Sequence, residues 1–218
     1  MQYDKIFLSA VGVTSMEERA DGQAQMEIEI SYYARISDLA QFSKARSWEH
    51  QEQWQLKVPK TPLNGGSGSI RIRKTIIPGA GTEYVMTTKT DSGREGDKLE
   101  TPIPTTEANF EQFKMLCEGG MKKDRYFFPV ENSDLVWEID MFHAPDSTDQ
   151  ARKYLDWCKL DLELPNREVQ IPHIPIAFEE IITAQYGHRT PEEEAQVSKL
   201  YEEDFVMKNP MGKPTVEI

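Results

Sequence analysis

Met26-Glu27-Ile28-Glu29-Ile30-Ser31-Tyr32 alternates acidic or polar residues with apolar ones without a break. Successive side chains of a β-strand point to opposite faces, so Glu27, Glu29 and Ser31 share one face and Ile28, Ile30 and Tyr32 the other. A solvent-facing strand with an apolar underside has this pattern, and so does a strand that presents two carboxylates to a ligand. The choice depends on what other strands place beside it.

The same spacing recurs. Ser69-Ile-Arg71-Ile-Arg73 carries two guanidiniums on one face, Lys123 and Arg125 share a face of the stretch 121–130, and Glu138 and Asp140 share one opposite Trp137, Ile139 and Met141. Lys159, Asp161 and Glu163 oppose Leu160, Leu162 and Leu164, and Lys89 lies on an alternating run that follows the hairpin signal Pro78-Gly79-Ala80-Gly81. Surface strands usually mix Ser, Thr, Gln and Lys, whereas here acids stand with acids and bases with bases. Segregation of this kind points to a site. If at least eight strands close into a barrel, their apolar faces can meet helices outside while the charged faces line the lumen. A divalent metal on Glu27, Glu29, Asp161 and Glu163, and a polyphosphate on Arg71, Arg73, Lys89 and Arg125, would then neutralise both sets.

Helical signals are fewer. Ser37 reads as an N-cap for a helix running to about Trp48, Thr105 or Thr106 as the cap of a second with the stripe Ala108, Phe110, Phe113, Leu116 and Cys117, and residues 151–157 as a short third. Thr190-Pro191-Glu-Glu-Glu194 opens a C-terminal helix that fits the barrel's outside or a cover over one mouth. The Gly-rich run 64–69 lacks the GK[ST] of a phosphate loop and reads as a connector.

With 25 basic and 37 acidic residues among 218, the chain has a formal net charge of −12, which argues against a nucleic-acid backbone as partner. Cys117 and Cys158 lack metal or redox spacing and read as reduced, buried thiols in helical stretches. No leader is visible and no segment reaches the roughly 20 apolar residues of a membrane span, so the expectation is a soluble cytoplasmic protein. His50, His143, His173 and His188 are scattered without HxxxH or HExxH spacing and read as surface or packing residues.

In their order along the chain, Glu27-Ile-Glu29, Arg71-Ile-Arg73, Lys89, Lys98-Leu-Glu100, Lys123-Asp-Arg125-Tyr126, Trp137-Glu-Ile-Asp140-Met-Phe142 and Leu160-Asp-Leu-Glu163-Leu164 resemble CYTH domains, the triphosphate tunnel metalloenzymes. The similarity spans residues 25–201. It implies an α+β, mainly β fold: an eight-stranded antiparallel tunnel-like barrel with helices packed outside. On that resemblance residues 1–24 are an N-terminal extension with room for an added strand, 25–208 the tunnel domain and 209–218 a tail. It further implies Mg2+ or Mn2+ on Glu27, Glu29, Asp161 and Glu163, and a triphosphate held by Arg71, Arg73, Lys89, Lys98, Glu100, Lys123 and Arg125. Glu138 or Asp140 would orient the attacking water or hold a second metal. The implied activity is hydrolysis of a small triphosphate or nucleotide, with nucleic acid limited to a 5′-triphosphate RNA end. Adenylyl cyclase chemistry and non-catalytic binding are the alternatives. One departure stands out: the family's opening motif is Glu-x-Glu-x-Lys, and its third position here is Ser31.

Overall fold

A computed structural model describes residues 25–58, 68–91, 98–117, 119–144, 154–185, 190–204 and 207–208. The proposed N-terminal extension, most of the Gly-rich connector and the C-terminal tail lie outside these residues. Within them run eleven strands: β1 (Gln25–Glu27), β2 (Glu29–Ile36), β3 (Ser47–Val58), β4 (Gly68–Ile77), β5 (Gly81–Asp91), β6 (Lys98–Pro104), β7 (Gly119–Pro129), β8 (Val136–His143), β9 (Tyr154–Glu163), β10 (Phe178–Gln185) and β11 (Met207–Lys208). There are two α-helices, α1 (Glu107–Lys114) and α2 (Pro191–Asp204).

Every ladder is antiparallel, in the order β1-β6-β5-β4-β3-β7-β8-β9-β2-β10, with β11 added to β7. The path of ladders is open, ending at β1 and β10, rather than the closed ring of eight expected. Yet the chain passes from β1, on β6, into β2, on β9, across the single residue Ile28, which ties distant stretches of the path together covalently. The β4–β5 hairpin turns where expected, with Gly79 at φ 80° and Gly81 at φ 125°, backbone values that L-residues with a Cβ rarely adopt.

The apolar face carries most of the core. Ile30, Trp137, Ile139, Leu160 and Leu162, all fully buried, pack with Phe42, Phe128, Met141, Cys158 and Ile176. A second apolar group, Trp54 and Ile72, is covered by Phe110 of α1 and by Cys117. Thr106 caps α1, its hydroxyl accepting from the Asn109 amide at 3.2 Å. The expected stripe holds only in part, because Leu116 and Ala108 lie in solvent.

Two expectations fail. The segment after Ser37 is a 3₁₀ helix, Leu39–Lys44, capped by Asp38, and β3 begins at Ser47. Ser37 instead bonds the Ala177 carbonyl at 2.9 Å, and burial of Phe42 alone anchors so short a turn. Residues 154–157 are strand, not helix, which places Cys158 in β9, where its apolar neighbours lie across the sheet. For α2 the structure decides between the two placements the sequence leaves open. Its start is as read, with the Glu193 amide donating to Thr190 at 3.2 Å and the Thr190 amide to Glu193 at 2.8 Å, the reciprocal bonds of a capping box. But its buried Val197 and its Leu200 pack with Tyr33, Phe142, Leu155 and Trp157. Those residues end the charged rows of β2, β8 and β9, so α2 covers the charged face, where it finds the apolar partners its own stripe requires.

Candidate functional site: one buried face of opposed charges

Directly opposed residues of an antiparallel pair lie on the same face of the sheet. Following the registers therefore tests whether the charged pairs belong together. Lys89 faces Glu100, and Arg71 faces Thr87. Gln53 faces Arg73 on β4 and Met121 on β7, while Gln51 faces Thr75 and Lys123. Arg125 faces Asp140, Glu138 faces Asp161, and Asp161 faces Ser31, two residues beyond the Glu29↔Glu163 pair. A single face thus collects the polar and charged rows of eight strands, β2 to β9. Glu27 and Lys98 are placed by register alone, opposite one another on β1 and β6.

This face is enclosed. Gln51, Thr75, Thr87, Gln53, Arg73, Lys123, Asp140 and Asp161 are all buried, whereas Glu163 at its margin is exposed. The enclosure follows from the curl of the sheet. Lys89 of β5 contributes to the electrostatics of Glu29 on β2, although the ladders β5-β4-β3-β7-β8-β9-β2 separate them along the path.

Two clusters form. In the first, Arg125 donates to Asp140 through Nε at 2.7 Å and Nη2 at 2.8 Å, donates to Glu138 through Nη1, and lies 3.7 Å from Asp161. Lys123 also donates to Asp140. Burial alone would raise the Asp140 pKa, but Arg125 and Lys123 beside it hold the carboxyl well below its usual range. Burial, reinforced by Arg125, brings the Lys123 ammonium down to about 7. Burial and the neighbouring Arg71 lower Arg73 to about 10. Lys89 pairs with Glu100, which Arg71 approaches at 3.7 Å.

The second cluster gathers acids. The Ser31 hydroxyl lies within hydrogen-bond distance of both Glu29 and Asp161, at 2.7 Å from the latter, and donates its single hydrogen to one of them at a time, while the Lys159 ammonium lies 3.0 Å from Glu29 and 2.6 Å from Asp161. The two carboxylates share one hydroxyl and one cation. Burial, with the Glu29 charge beside it, raises Asp161 to about 7; Glu29 goes the other way, since Lys159 and the Ser31 hydroxyl outweigh its burial. Such a divergent pair holds one proton between its two members over part of the pH range.

Of the expected residues, the structure brings Glu29 and Asp161 together, joins Glu138 and Asp140 to Arg125, and sets Arg71 beside Glu100 at 3.7 Å. The sequence reading missed Lys159 as a partner of the acids, and Gln51 and Gln53, whose buried carbonyl oxygens accept no hydrogen bond among the described residues. The run Glu49-His50-Gln51-Glu52-Gln53 is polar throughout, and the one signal for the glutamines is the alternation Trp54-Gln-Leu56-Lys-Val58, which, extended backward, puts Gln53 and Gln51 on its polar face.

No protein-family profile and no curated protein matches the chain. Among solved structures, the inorganic triphosphatase NE1496 is similar at 22% identity over 72% of this chain and 86% of that one, with a TM-score of 0.40. HpAC1 from Hippeastrum, named for adenylyl cyclase and described with a dominant triphosphatase activity, is 14% identical over 65% of this chain and 81% of its own, at 0.41. The PH1819 protein from Pyrococcus horikoshii OT3 is 14% identical over 81% and 99% respectively, also at 0.41. Overlaps this partial say nothing of which residues act.

Proposed function

We propose that the curled sheet forms a tunnel in which this protein hydrolyses a triphosphate with the help of a divalent metal. The observation that carries the reading is the buried face on which a basic cluster, Arg71, Arg73, Lys89, Lys123 and Arg125, meets an acidic one, Glu29 and Asp161. Buried charges of both signs in such number are costly unless they are paired or serve a ligand.

The donor set suits a hard cation. Glu29 and Asp161 already converge on one ammonium, and carboxylate oxygens are what Mg2+ or Mn2+ takes. Glu29, Asp161 and the adjoining Glu27 and Glu163 would hold such an ion, which supplies charge neutralisation to the phosphate oxygens.

The remaining work falls to the chain's own groups. Guanidiniums bind phosphate bidentately and fix its orientation, which suits Arg71, Arg73 and Arg125; Lys89 and Lys123 act as point charges. A phosphate drawn onto Arg125 loosens its hold on Glu138, freeing that carboxylate to accept a hydrogen bond from water and aim it at the terminal phosphorus. Water oxygen then bonds to phosphorus, the bridging P–O bond breaks, its electron pair leaves with the diphosphate, and the water proton passes to the carboxylate. The apolar residues Tyr33, Phe142, Leu155 and Trp157, with α2 over them, keep bulk water from that end of the tunnel. Residues 25–208 would form this domain, with 1–24 and 209–218 as extensions.

A second reading has its own observation. Lys159 sits on the acids where the metal would bind, and Ser31 replaces the lysine of the family motif, which suits a protein that captures a polyphosphate without turning it over. Inorganic triphosphate, thiamine triphosphate, nucleoside triphosphates and 5′-triphosphate RNA, each with Mg2+ and with Mn2+, separate the readings. Released phosphate supports the hydrolase, a cyclic product the cyclase, and tight binding without turnover the binder.

A further inference from the structure

On the opposite, apolar face of the sheet lies a cluster the charged tunnel does not use. Asp124 of β7 stands between Lys123 and Arg125 in sequence and therefore points away from them. His50 of β3 is its direct partner in register, and His143 ends β8 beside it. His50 Nδ1 lies 2.8 Å and His143 Nε2 3.0 Å from one and the same oxygen, Asp124 Oδ1. The other carboxylate oxygen accepts the Tyr154 hydroxyl, which in turn lies 3.3 Å from the hydroxyl of Tyr126. The ligand atoms of His50, Asp124 and His143 all fall within 4.8 Å of one another.

We propose that His50, Asp124 and His143 form a second metal site, distinct in chemistry from the tunnel acids, for a first-row transition ion of the zinc class. Two imidazoles and a carboxylate are the donor set of such ions, whereas Mg2+ prefers an all-oxygen shell. A tetrahedral ion with bonds of about 2.0 Å has ligand atoms about 3.3 Å apart, so the two nitrogens, at 2.8 and 3.0 Å from Asp124, withdraw from it by a few tenths of an ångström, and the widest separation, up to 4.8 Å, closes by as much as about 1.5 Å through rotation of the part-exposed imidazoles. Asp124 is itself 1% exposed and borders the main apolar cluster through Tyr126 and Tyr154. Tyr154 bonds the oxygen that the imidazoles do not share and so orients the carboxylate, as outer-shell partners of metal ligands do. The histidine side chains are 26% and 20% exposed, which leaves a fourth position open to water. An ion here clamps β3, β7 and β8 together directly behind Lys123 and Arg125.

Cobalt is the probe. The full chain, freed of metal with chelator, is titrated with Co2+ alone and its visible spectrum recorded. One ion per chain with the bands of a four-coordinate, nitrogen-ligated site is expected, and it persists in Glu29→Gln, which alters the tunnel acids only. His50→Ala and His143→Ala lose the bands, and Tyr154→Phe weakens binding by about 10–100-fold. Should an alanine variant fail to fold, His50→Cys keeps a ligand in place and is expected to add a thiolate-to-cobalt charge-transfer band. Absence of nitrogen-ligated cobalt in the wild-type chain, bands lost in Glu29→Gln, or a folded His50→Cys chain whose spectrum matches wild type would overturn the proposal and leave a hydrogen-bonded cluster.

Discussion

Arg125→Met removes the side chain that holds the basic and acidic halves of the face together. Arg125 makes two bonds to Asp140, one to Glu138, and is 3.7 Å from Asp161; Asp140 and Asp161 are 1% and 3% exposed. The methionine fills most of the volume but leaves buried carboxylates with less countercharge. Breaking a buried pair from one side costs about 3–5 kcal/mol. For a chain of this length that corresponds to a fall in Tm of about 6–20 °C, at about 2–4 °C per kcal/mol. Asp140→Asn in the same background removes the stranded charge. Lys123, then short of its partner, can lose its proton at little cost, because burial has already brought its pKa to about 7. The double variant is therefore expected to regain about 1–3 kcal/mol over Arg125→Met alone. Thermal and urea unfolding of wild type, both single variants and the double variant measure the cycle. A loss under about 1 kcal/mol for Arg125→Met, or a double variant less stable than it, refutes the reasoning about this cluster.

The remaining predictions concern other parts of the face and its supports. Asp161 has a folded pKa of about 7, above its unfolded value of about 3.9, so its contribution to stability is full below about pH 4 and is lost as pH rises toward 7. Metal-free protein should therefore lose Tm over that window, and Asp161→Asn should flatten the slope; an unchanged slope counts against the raised pKa. Adding Mg2+ near pH 7 should release a proton from the Glu29/Asp161 pair, read by calorimetry in buffers of different ionisation enthalpy, and release that is equal in Glu29→Gln would contradict the metal assignment. Gly120→Ala would place a Cβ 2.5 Å from the Trp54 ring and 2.6 Å from the Gln53 carbonyl oxygen. A loss of at least about 1–3 kcal/mol is expected in urea unfolding, since backbone cannot yield as a flexible side-chain tip can. Val197→Ala removes two methyl groups from the contact of α2 with Tyr33 and Trp157 and should cost about 1–3 kcal/mol, with faster amide exchange in α2 than elsewhere.

Strict alternation made β2, β4, β7, β8 and β9 legible, because each buries one face in apolar residues and the other among charges. β3 was legible only at its end, since Glu49, His50, Gln51 and Glu52 give no apolar contrast, and its start was masked by the helix-like spacing of Leu39, Ala40 and Phe42. β10 carries the consecutive acids Glu179-Glu180 and reads as no strand until it pairs with β2. Local spacing located the charged residues but not their partners: that Lys159 sits on Glu29, 130 positions away, is a consequence of register. The same holds for His50 and Asp124, 74 positions apart, which no spacing rule for metal ligands could join. The cover formed by α2 was one of two readings, and only the apolar ends of the charged rows decide between them.

The central claim is that Glu29 and Asp161 serve a metal that works on a triphosphate held by the basic cluster. The direct measurement is phosphate released from inorganic triphosphate by wild type and by Glu29→Gln and Arg73→Met, with and without Mg2+ or Mn2+, on protein shown to be folded. The account predicts metal-dependent release by wild type, abolished in Glu29→Gln and strongly reduced in Arg73→Met. Release that persists undiminished in both variants, or that needs no divalent ion, would contradict it.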